Sequence, residues 1–168
     1  MTPSLRFDVW NSFREREEGG YSDDPSDAGG ETKYGISKRA HPELDIPNLT
    51  REQANEIAYA DYWVPVGGDE LPWPVSLVMA DFAFHSGASR ARRELAHELD
   101  IDGDTGASLV IIVAKRRAEK VGAQRLAEGV HLRRVSFLAR LIQGNASQVK
   151  FAGGWFARCV RLAFLFGG

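Results

Sequence analysis

Glycine and proline residues divide this sequence into segments of helical length, and the apolar residues between them recur with helical spacing. Phe7, Trp10 and Phe13 follow this spacing, which predicts a first helix over about residues 4–18. Gly19-Gly20 is expected to end it, because glycine readily adopts the left-handed conformation that closes a helix. Strand-like alternation is weak throughout the chain. Helices are therefore the expected building blocks.

The rest of the chain extends this pattern. Thr50 and Gln53 form a capping-box pattern that starts a second helix, with an apolar face leading toward Trp63. Further helices are predicted over about 75–85, 89–99, 107–127, 130–142 and 155–166. The stretch 21–37 is rich in Gly, Asp, Pro and Ser, and reads as a long loop or a small irregular hairpin. A length of 168 residues suits one mainly α domain.

Charge is distributed unevenly between the two parts of the chain. Residues 1–104 hold 10 Lys and Arg against 21 Asp and Glu, giving −11, whereas residues 105–168 hold 11 against 2, giving +9. This asymmetry favours either a polyanionic partner, such as a cell-envelope surface, or an internal match between the two parts. The basic helices 130–142 and 155–166 could likewise contact anionic envelope lipids or complete the core. No nucleic-acid-binding motif accompanies the charge, so we expect no nucleic-acid partner.

Several classes of protein are excluded or disfavoured by what the sequence contains. A single cysteine, Cys159, cannot form an intrachain disulfide, and the four histidines show no zinc-ligand spacing. We therefore expect no metal and no cofactor. Residues 1–16 do not resemble a secretory signal, and the apolar run 162–166 is far shorter than the ~20 residues that cross a bilayer. The expected site of synthesis is the cytoplasm.

The segment after the first helix contains candidate catalytic groups. Glu18 is expected at the negative end of the helix dipole and next to Glu17, and both disfavour its ionised form. A carboxylic acid that keeps its proton can donate it to a glycosidic oxygen. Downstream, Asp27 could activate a water that the Thr32 hydroxyl holds. The alternatives are a solvated helix-end glutamate and a turn aspartate; Asp23 and Asp24 are other candidate carboxylates.

The run EGGYSDDPSDAGGETKYGIS, residues 18–37, resembles the signature of glycoside hydrolase family 108, the phage and prophage muramidases with a lysozyme-like fold. The resemblance continues through residues 41–46, 48–54, 61–63, 81–87, 102–106 and 154–158. It implies a two-lobed helical domain, with a catalytic lobe over residues 1–70 and a helical peptidoglycan-binding lobe over 71–168. It also implies hydrolysis of the β-1,4 bond between N-acetylmuramic acid and N-acetylglucosamine in peptidoglycan, with bacterial lysis as the outcome.

By this resemblance Glu18 is the general acid. Phage-type lysozymes place an aspartate nine residues after the catalytic glutamate, and Asp27 occupies that position. Thr32 comes one residue earlier than the corresponding threonine, so it either fills that role through a small loop difference or orients Asp27 or the backbone. Inverting and retaining mechanisms both remain open, as does a lytic transglycosylase, which needs one acid only. A non-enzymatic, cationic envelope-binding protein is the third alternative.

Substrate contacts are expected from aromatic residues that can stack on sugar rings and from a polar helix end. At Phe84-His85-Ser86-Gly87 the family usually shows Asn-Ser-Gly, so His85 replaces an amide; it either contacts sugar or stabilises the helix end. The expected substrate-binding residues are Tyr21, Tyr34, Tyr62, Trp63, His85 and Ser86. The resemblance further implies that the partner is the peptidoglycan glycan strand and that the enzyme reaches the periplasm after release by a holin; we expect it to be a monomer.

Overall fold

The computed structural model describes residues 4–23 and 30–167, and in this part of the chain seven α-helices form most of the fold. They are α1 (Leu5–Glu17), α2 (Arg51–Ala58), α3 (Val75–Ser86), α4 (Ala88–Glu98), α5 (Ala107–Val121), α6 (Ala123–Gly144) and α7 (Val149–Phe166). The strands β1 (Thr32–Lys33) and β2 (Ile36–Ser37) form a small antiparallel hairpin. The predicted mainly α fold with a small hairpin after the first helix is confirmed.

Helix α1 begins and ends through residues that its sequence provides. The Ser4 side chain accepts a hydrogen bond from the Phe7 N–H, which caps the N-terminus. At the other end Glu18 leaves the helical conformation, with φ −90° and ψ 135°, while its N–H still donates to the Arg14 carbonyl. The helix therefore ends at an extended glutamate and not, as expected, at a left-handed Gly19 or Gly20. This change of direction lets the Glu18 side chain turn toward the hairpin.

The predicted capping box is present at the start of α2. The Thr50 hydroxyl accepts from the Gln53 N–H at 3.2 Å, and the Gln53 side chain accepts from the Thr50 N–H at 2.9 Å. These reciprocal bonds satisfy two backbone donors that the first turn of a helix leaves free. The chain then continues through a π-helical turn, Tyr59–Trp63, and a 3₁₀ turn, Val64–Val66.

Two predicted helix boundaries were wrong. The break expected between residues 127 and 130 lies instead at Gly122, whose φ of +88° separates α5 from α6. Gly129 lies inside α6, and its lack of a side chain leaves room for Glu98, whose carboxyl group a Cβ there would overlap. Helix α7 also begins at Val149, six residues earlier than expected. A glycine inside a helix thus marks close packing here, not a helix end.

Helix α3 is the centre of the fold. All its residues from Val75 to Ala83 are buried, and it contacts α1, α4 and α6. A helix that is apolar on every side is expected in the interior of a protein. A separate small cluster of Ile36, Ile46, Leu49 and Ala54 supports the hairpin. The division of the fold into lobes at about residue 70 stays a prediction.

The central helix contains one buried acid, Asp81, that joins it to two other helices. Arg134 of α6 donates to Asp81 at 2.6 Å, and Arg158 of α7 donates to it at 2.7 Å. All three side chains are almost fully buried. Burial alone would raise the pKa of Asp81, but the charges of Arg158 and Arg134 outweigh it and hold the pKa well below its usual range. This trio therefore connects α3, α6 and α7 in the interior.

Other arginines of the basic segment also pair with acids of the first 104 residues. The pairs are Arg117 with Asp100, Arg133 with Glu98, Arg140 with Glu94 and Arg161 with Glu17. The apolar face of the predicted helix 130–142 is buried at Val130 and Leu138, so it completes the core. The structure thus shows that arginines of the basic part form ion pairs with acids of the acidic part within the same protein. Within the described ranges, none of the helices is both long enough and apolar enough to cross a bilayer.

Replacing Asp81 with Asn should destabilise the fold by about 3–5 kcal/mol, because Arg134 and Arg158 would lose their shared buried anion. The matched control is Asp104→Asn, which removes the carboxylate of an exposed pair with Arg93 and should cost at most about 1 kcal/mol. Denaturant unfolding of both variants measures the difference. Equal losses in the two variants would show that the buried trio does not hold the helices together.

Candidate active site

The Glu18 carboxylate lies where the hairpin turn, α3 and α7 meet. A Cβ on Gly35 would lie 2.8 Å from Glu18 Oε2 and 2.5 Å from the Phe84 ring, so both side chains pack against the bare backbone of Gly35. On its other oxygen Glu18 accepts a hydrogen bond from Arg158. Its side chain is 21% exposed. The carboxylate is therefore held by protein on several sides while part of it stays accessible.

The turn under Glu18 depends on the backbone of Gly35. Lys33 and Ile36 pair across the hairpin, and the two residues between them, Tyr34 and Gly35, have φ of +54° and +76°. Positive φ at both central residues is typical of a type I′ hairpin turn. Gly35 is thus required twice, once for its conformation and once for the space that Glu18 and Phe84 occupy.

Asp81 holds Arg158 in the position from which it contacts Glu18. Its Nε and Nη2 donate to the two oxygens of Asp81, at 2.7 to 3.2 Å, which leaves Nη1 to donate to Glu18 Oε1. Burial by itself lowers the pKa of Arg158, but Asp81 and Glu18 together raise it above its ordinary value. The planar guanidinium fork allows these bonds only in one orientation. The contact with Glu18 is therefore set by the interior of the fold.

A second buried arginine holds the hairpin against α1 and α2. Arg14 donates to the Asn11 side chain, to the Asn55 side chain at 2.6 Å and to the Tyr34 carbonyl at 2.8 Å. These partners are neutral oxygens, and burial lowers the pKa of Arg14, although nearby Glu15 and Glu18 oppose this. Arg14 fixes the carbonyl next to Gly35 and so supports the surface beneath Glu18.

Tyr62 is the predicted aromatic residue that lies beside this site. Its ring centre is 4.9 Å from that of Phe84, in an edge-to-face arrangement. Burial raises the pKa of Tyr62, and the charges of Asp61 and Glu18 add to the effect. The phenol is half-buried and stays protonated, so it can donate a hydrogen bond. It belongs to the π-helical turn, a feature that is frequent at functional sites.

Thr32 and Tyr21 lie at the base of the hairpin. The backbone N–H groups of Ser22 and Thr32 each donate to the other residue's carbonyl at 2.8 Å, and the Thr32 hydroxyl donates to the Gly30 carbonyl at 3.1 Å. Tyr21 is 48% exposed and donates to Glu31 at 2.9 Å. Asp27, the predicted second carboxylate, and Asp24 lie outside the described residues. The roles of Asp27, Thr32 and Tyr21 stay predictions.

Two of the predicted sugar-stacking residues have structural contacts. Trp63 is fully buried, stacks on Trp10 with ring centres 5.9 Å apart and meets Phe7 edge-on, so it presents no surface to a sugar. This corrects its assignment to substrate binding: the apolar face that leads to Trp63 ends in the core. Tyr34 packs on the small cluster beneath the hairpin, with Lys33 and Arg51 near its ring. Its contact with substrate stays a prediction.

His85 and Ser86 form the end of α3, and both are half-buried. The His85 ring lies 5.4 Å from Trp155, edge to face, and its Nδ1 has no hydrogen-bond partner among the described residues. Burial lowers the pKa of His85 to about 4, and the charges of Arg134 and Arg158 contribute. The imidazole is therefore neutral near pH 7, which argues against the alternative of a charged histidine at the helix end. A sugar contact stays a prediction.

Three residues that support Glu18 were not predicted as site residues: Arg158 and Phe84, which lie beside it, and Asp81, which holds Arg158. Asp81 carried a usable signal, because a lone acid inside an otherwise apolar helix must have a buried cationic partner. Arg158 stands out in the sequence only as part of a basic helix and of segment 154–158 of the family resemblance. Its two acidic partners are 77 and 140 residues away in the chain, so no local pattern connects them.

Comparison with known proteins agrees with this arrangement. Residues 14–87 match the family model described as Glycosyl hydrolase 108, and residues 88–160 match the one described as Predicted Peptidoglycan domain. Residues 14–87 thus belong to the glycosyl hydrolase 108 family. The protein is a glycoside hydrolase, and its substrate partner is peptidoglycan.

A solved structure extends the comparison to nearly the whole chain. SagA of Brucella abortus is 29% identical, with 95% of this chain and 94% of that chain covered and a TM-score of 0.78. The predicted lysozyme-like fold is confirmed. Among curated proteins no match is found.

In this glycosyl hydrolase, Gly35→Ala should abolish most activity on purified peptidoglycan, because the new methyl group would displace Glu18 or Phe84. The matched control is Gly30→Ala: Gly30 also has a positive φ, +68°, but a Cβ there meets no atom of the described residues within 4 Å. Both variants carry the backbone strain of alanine at positive φ, and only one carries the collision. Turbidity loss of cell-wall suspensions measures activity, and similar activities for the two variants would contradict this packing of Glu18.

The neutral state of His85 gives the enzyme a defined pH dependence of stability. Between pH 6.5 and about 4 the unfolded chain protonates His85 while the folded one does not, so the unfolding free energy falls as pH falls through this window. His131, whose pKa burial also lowers to about 4, acts in the same direction.

His85→Gln should therefore lose less stability than the wild type between pH 6.5 and 4.5, with curves that run parallel above pH 7. Denaturant unfolding at each pH measures both curves, and the carboxylates contribute equally to each. Curves that stay parallel down to pH 4 would show that His85 is not held neutral in the folded protein.

Proposed function

We propose that this enzyme hydrolyses the β-1,4 bond between N-acetylmuramic acid and N-acetylglucosamine, with Glu18 as general acid. The observation that carries the proposal is the setting of the Glu18 carboxylate. It is partly accessible, it sits against the bare backbone of Gly35, and it is fixed by an arginine that is itself held from the interior. Positioning of this kind is what proton transfer to a bound glycosidic oxygen requires.

In the proposed reaction, the Glu18 proton moves to the glycosidic oxygen as the bond from that oxygen to C1 of the muramic acid breaks. The departing sugar leaves with a hydroxyl group, and the other sugar passes through an oxocarbenium-like transition state. Water then adds to C1 and gives its proton to Asp27 in an inverting reaction, or back to Glu18 in a retaining one, which leaves a reducing end. A neighbouring cation stabilises the carboxylate that forms as Glu18 gives up its proton, and Arg158 is placed to do this.

The contact between Arg158 and Glu18 also limits when Glu18 can donate its proton. A guanidinium in direct contact attracts the carboxylate form of an acid and not its neutral form. Proton donation therefore requires that the bound glycan weakens the Arg158 contact and meets Glu18 in its acid form. Because Asp81 holds Arg158 through two other nitrogens, the arginine can stay in place while its contact with Glu18 loosens.

We propose Asp27 as the second carboxylate, with Thr32 positioning the water or the loop. The pairing of Ser22 with Thr32 supports this, because it holds the two ends of the segment that contains Asp27 next to each other. Ser22 follows Glu18 by four residues. The anomeric configuration of the first product distinguishes the two mechanisms: an inverting enzyme uses Asp27 as a base, a retaining one as a nucleophile.

The substrate contacts that the geometry supports best are those next to Phe84. Tyr62 lies on one side of that ring, and His85 and Ser86 follow it at the end of α3. The exposed ring of Tyr21 is a further candidate. We propose that these four residues line the glycan site, together with the accessible side of the hairpin.

Glu18→Gln should lower the rate of cell-wall hydrolysis by about 10²–10⁴-fold, the usual contribution of a general acid. The matched control is Glu17→Gln: this neighbouring acid has its own partner, Arg161, and its loss should leave activity within a few-fold of wild type. Mass spectrometry of the products should show reducing muramic acid ends.

Other outcomes of the same experiment overturn parts of the proposal. Products with 1,6-anhydromuramic ends would make the enzyme a lytic transglycosylase, and lysis that survives Glu18→Gln unchanged would make catalysis by Glu18 irrelevant to it. The wider setting that the family resemblance implies is a phage or prophage enzyme that is released through a holin and lyses its host. Co-expression with and without a holin tests that setting, and sedimentation velocity tests the expected monomer.

A further inference from the structure

The first half of α7 presents an aromatic row on the helix face that leads to Glu18. Phe151, Trp155 and Arg158 are four and three residues apart, so they share one face of the helix. The rings of Phe151 and Trp155 are stacked, with centres 5.8 Å apart and planes at 22°. Trp155 lies ~4.5 Å and Phe151 ~10.5 Å along the helix axis from Arg158, distances on the scale of successive sugar units.

His85 joins this row from a second helix. Its ring meets Trp155 edge to face at 5.4 Å, and the preceding residue, Phe84, packs against the same Gly35 backbone as Glu18. The aromatic row is therefore continuous with the catalytic carboxylate along both α3 and α7. The neutral imidazole also has one donor and one acceptor nitrogen, and its buried Nδ1 lacks a partner within the described part of the chain.

The row combines accessible ring surface with polar groups at its edges. Phe151 is 38% exposed, Trp155 is half-buried, and the Lys150 ammonium lies 4.7 Å from the Phe151 ring centre. Sugar rings suit such a surface, because their C–H faces pack on aromatic rings while their hydroxyl and amide groups need polar partners. An anionic membrane instead requires a set of free cations. Of the cations near the row, Arg158 and Arg161 are paired with acids, and Lys150 lies against the Phe151 ring.

We propose that Phe151, Trp155 and His85 form a carbohydrate subsite that binds a peptidoglycan glycan strand beyond the sugars cleaved at Glu18. This proposal rests on the proposed function, since it takes the glycan strand as the substrate. The subsite holds the strand along α7 and so directs it past the carboxylate. It contributes to binding and takes no part in proton transfer.

The direct test measures binding without cleavage. In a Glu18→Gln background, Phe151→Ala should weaken binding to peptide-free glycan strands about tenfold, the loss expected for one stacked aromatic contact. The matched control is Phe164→Ala, which removes an 80% exposed ring from the same helix and should leave binding unchanged. Equal affinities of these two variants would overturn the subsite.

Tryptophan fluorescence gives a second readout that does not depend on how well an alanine variant folds. Trp10 and Trp63 are fully buried, so in a Glu18→Gln, Trp73→Phe protein the accessible reporter is Trp155. Adding peptide-free glycan strands should shift its emission to shorter wavelength, and Trp155→Phe should remove the shift. Strands that bind with no change in emission would place the glycan elsewhere.

The enzyme with an intact Glu18 separates this proposal from the proposed function. Phe151→Ala should raise KM for peptidoglycan and leave kcat unchanged, because it removes binding that is equal in the ground and transition states. Glu18→Gln tests catalysis independently: if it stays active, the proposed function fails while the binding data still decide the subsite. Binding of anionic lipid vesicles through Phe151, with no binding of glycan strands, would identify a membrane contact and overturn the subsite.

Discussion

The site depends on one buried guanidinium, that of Arg158, which is shared between Asp81 and Glu18. Two of its nitrogens are bound to an acid inside the central helix, and the third reaches the partly exposed acid at the end of the first helix. Burying a charge is costly unless it is paired and fully hydrogen-bonded, and Asp81 meets that requirement. The exposed carboxylate thus takes its position from the interior of the protein.

This arrangement joins the two segments that match family models. Glu18 and Asp81 lie within residues 14–87, whereas Arg134 and Arg158 lie within residues 88–160. The first segment has the acid, and the second has the cation that positions it. The opposite net charges of the two parts of the chain have a related explanation, because many of their charged residues form ion pairs with one another. The charge asymmetry therefore reflects the fold's own pairing at these positions.

Local signals allowed much of the fold to be predicted. The spacing of Phe7, Trp10 and Phe13, the capping box at Thr50 and the short hairpin before Ser37 all depend on residues close together in sequence. Errors arose where a distant contact decides the local structure. Gly129 lies inside a helix, where a glycine is needed because Glu98 packs against it. Trp63 is buried because Trp10 stacks on it and Phe7 packs edge-on against it.

In the candidate site, too, residues with local sequence signals could be predicted and residues placed by distant contacts could not. Glu18 could be proposed from its motif and its place at a helix end, since both are local. Arg158 could not, because the contact spans 140 residues. Asp81 was open to inference, as a lone acid in an apolar helix implies a buried cation, but its sequence surroundings do not say which of eleven Lys and Arg residues in the second part supplies it.

A double-mutant cycle on the hydrolysis rate tests the coupling of Glu18 to Arg158 most directly. The rate is measured for the wild type, Glu18→Gln, Arg158→Gln and the double variant, with the folded fraction of each determined by circular dichroism. If Arg158 acts through Glu18, its replacement lowers the rate of the wild type and has little further effect once Glu18 is glutamine. An equal loss in both backgrounds would show that Arg158 contributes independently of the acid and would contradict the account.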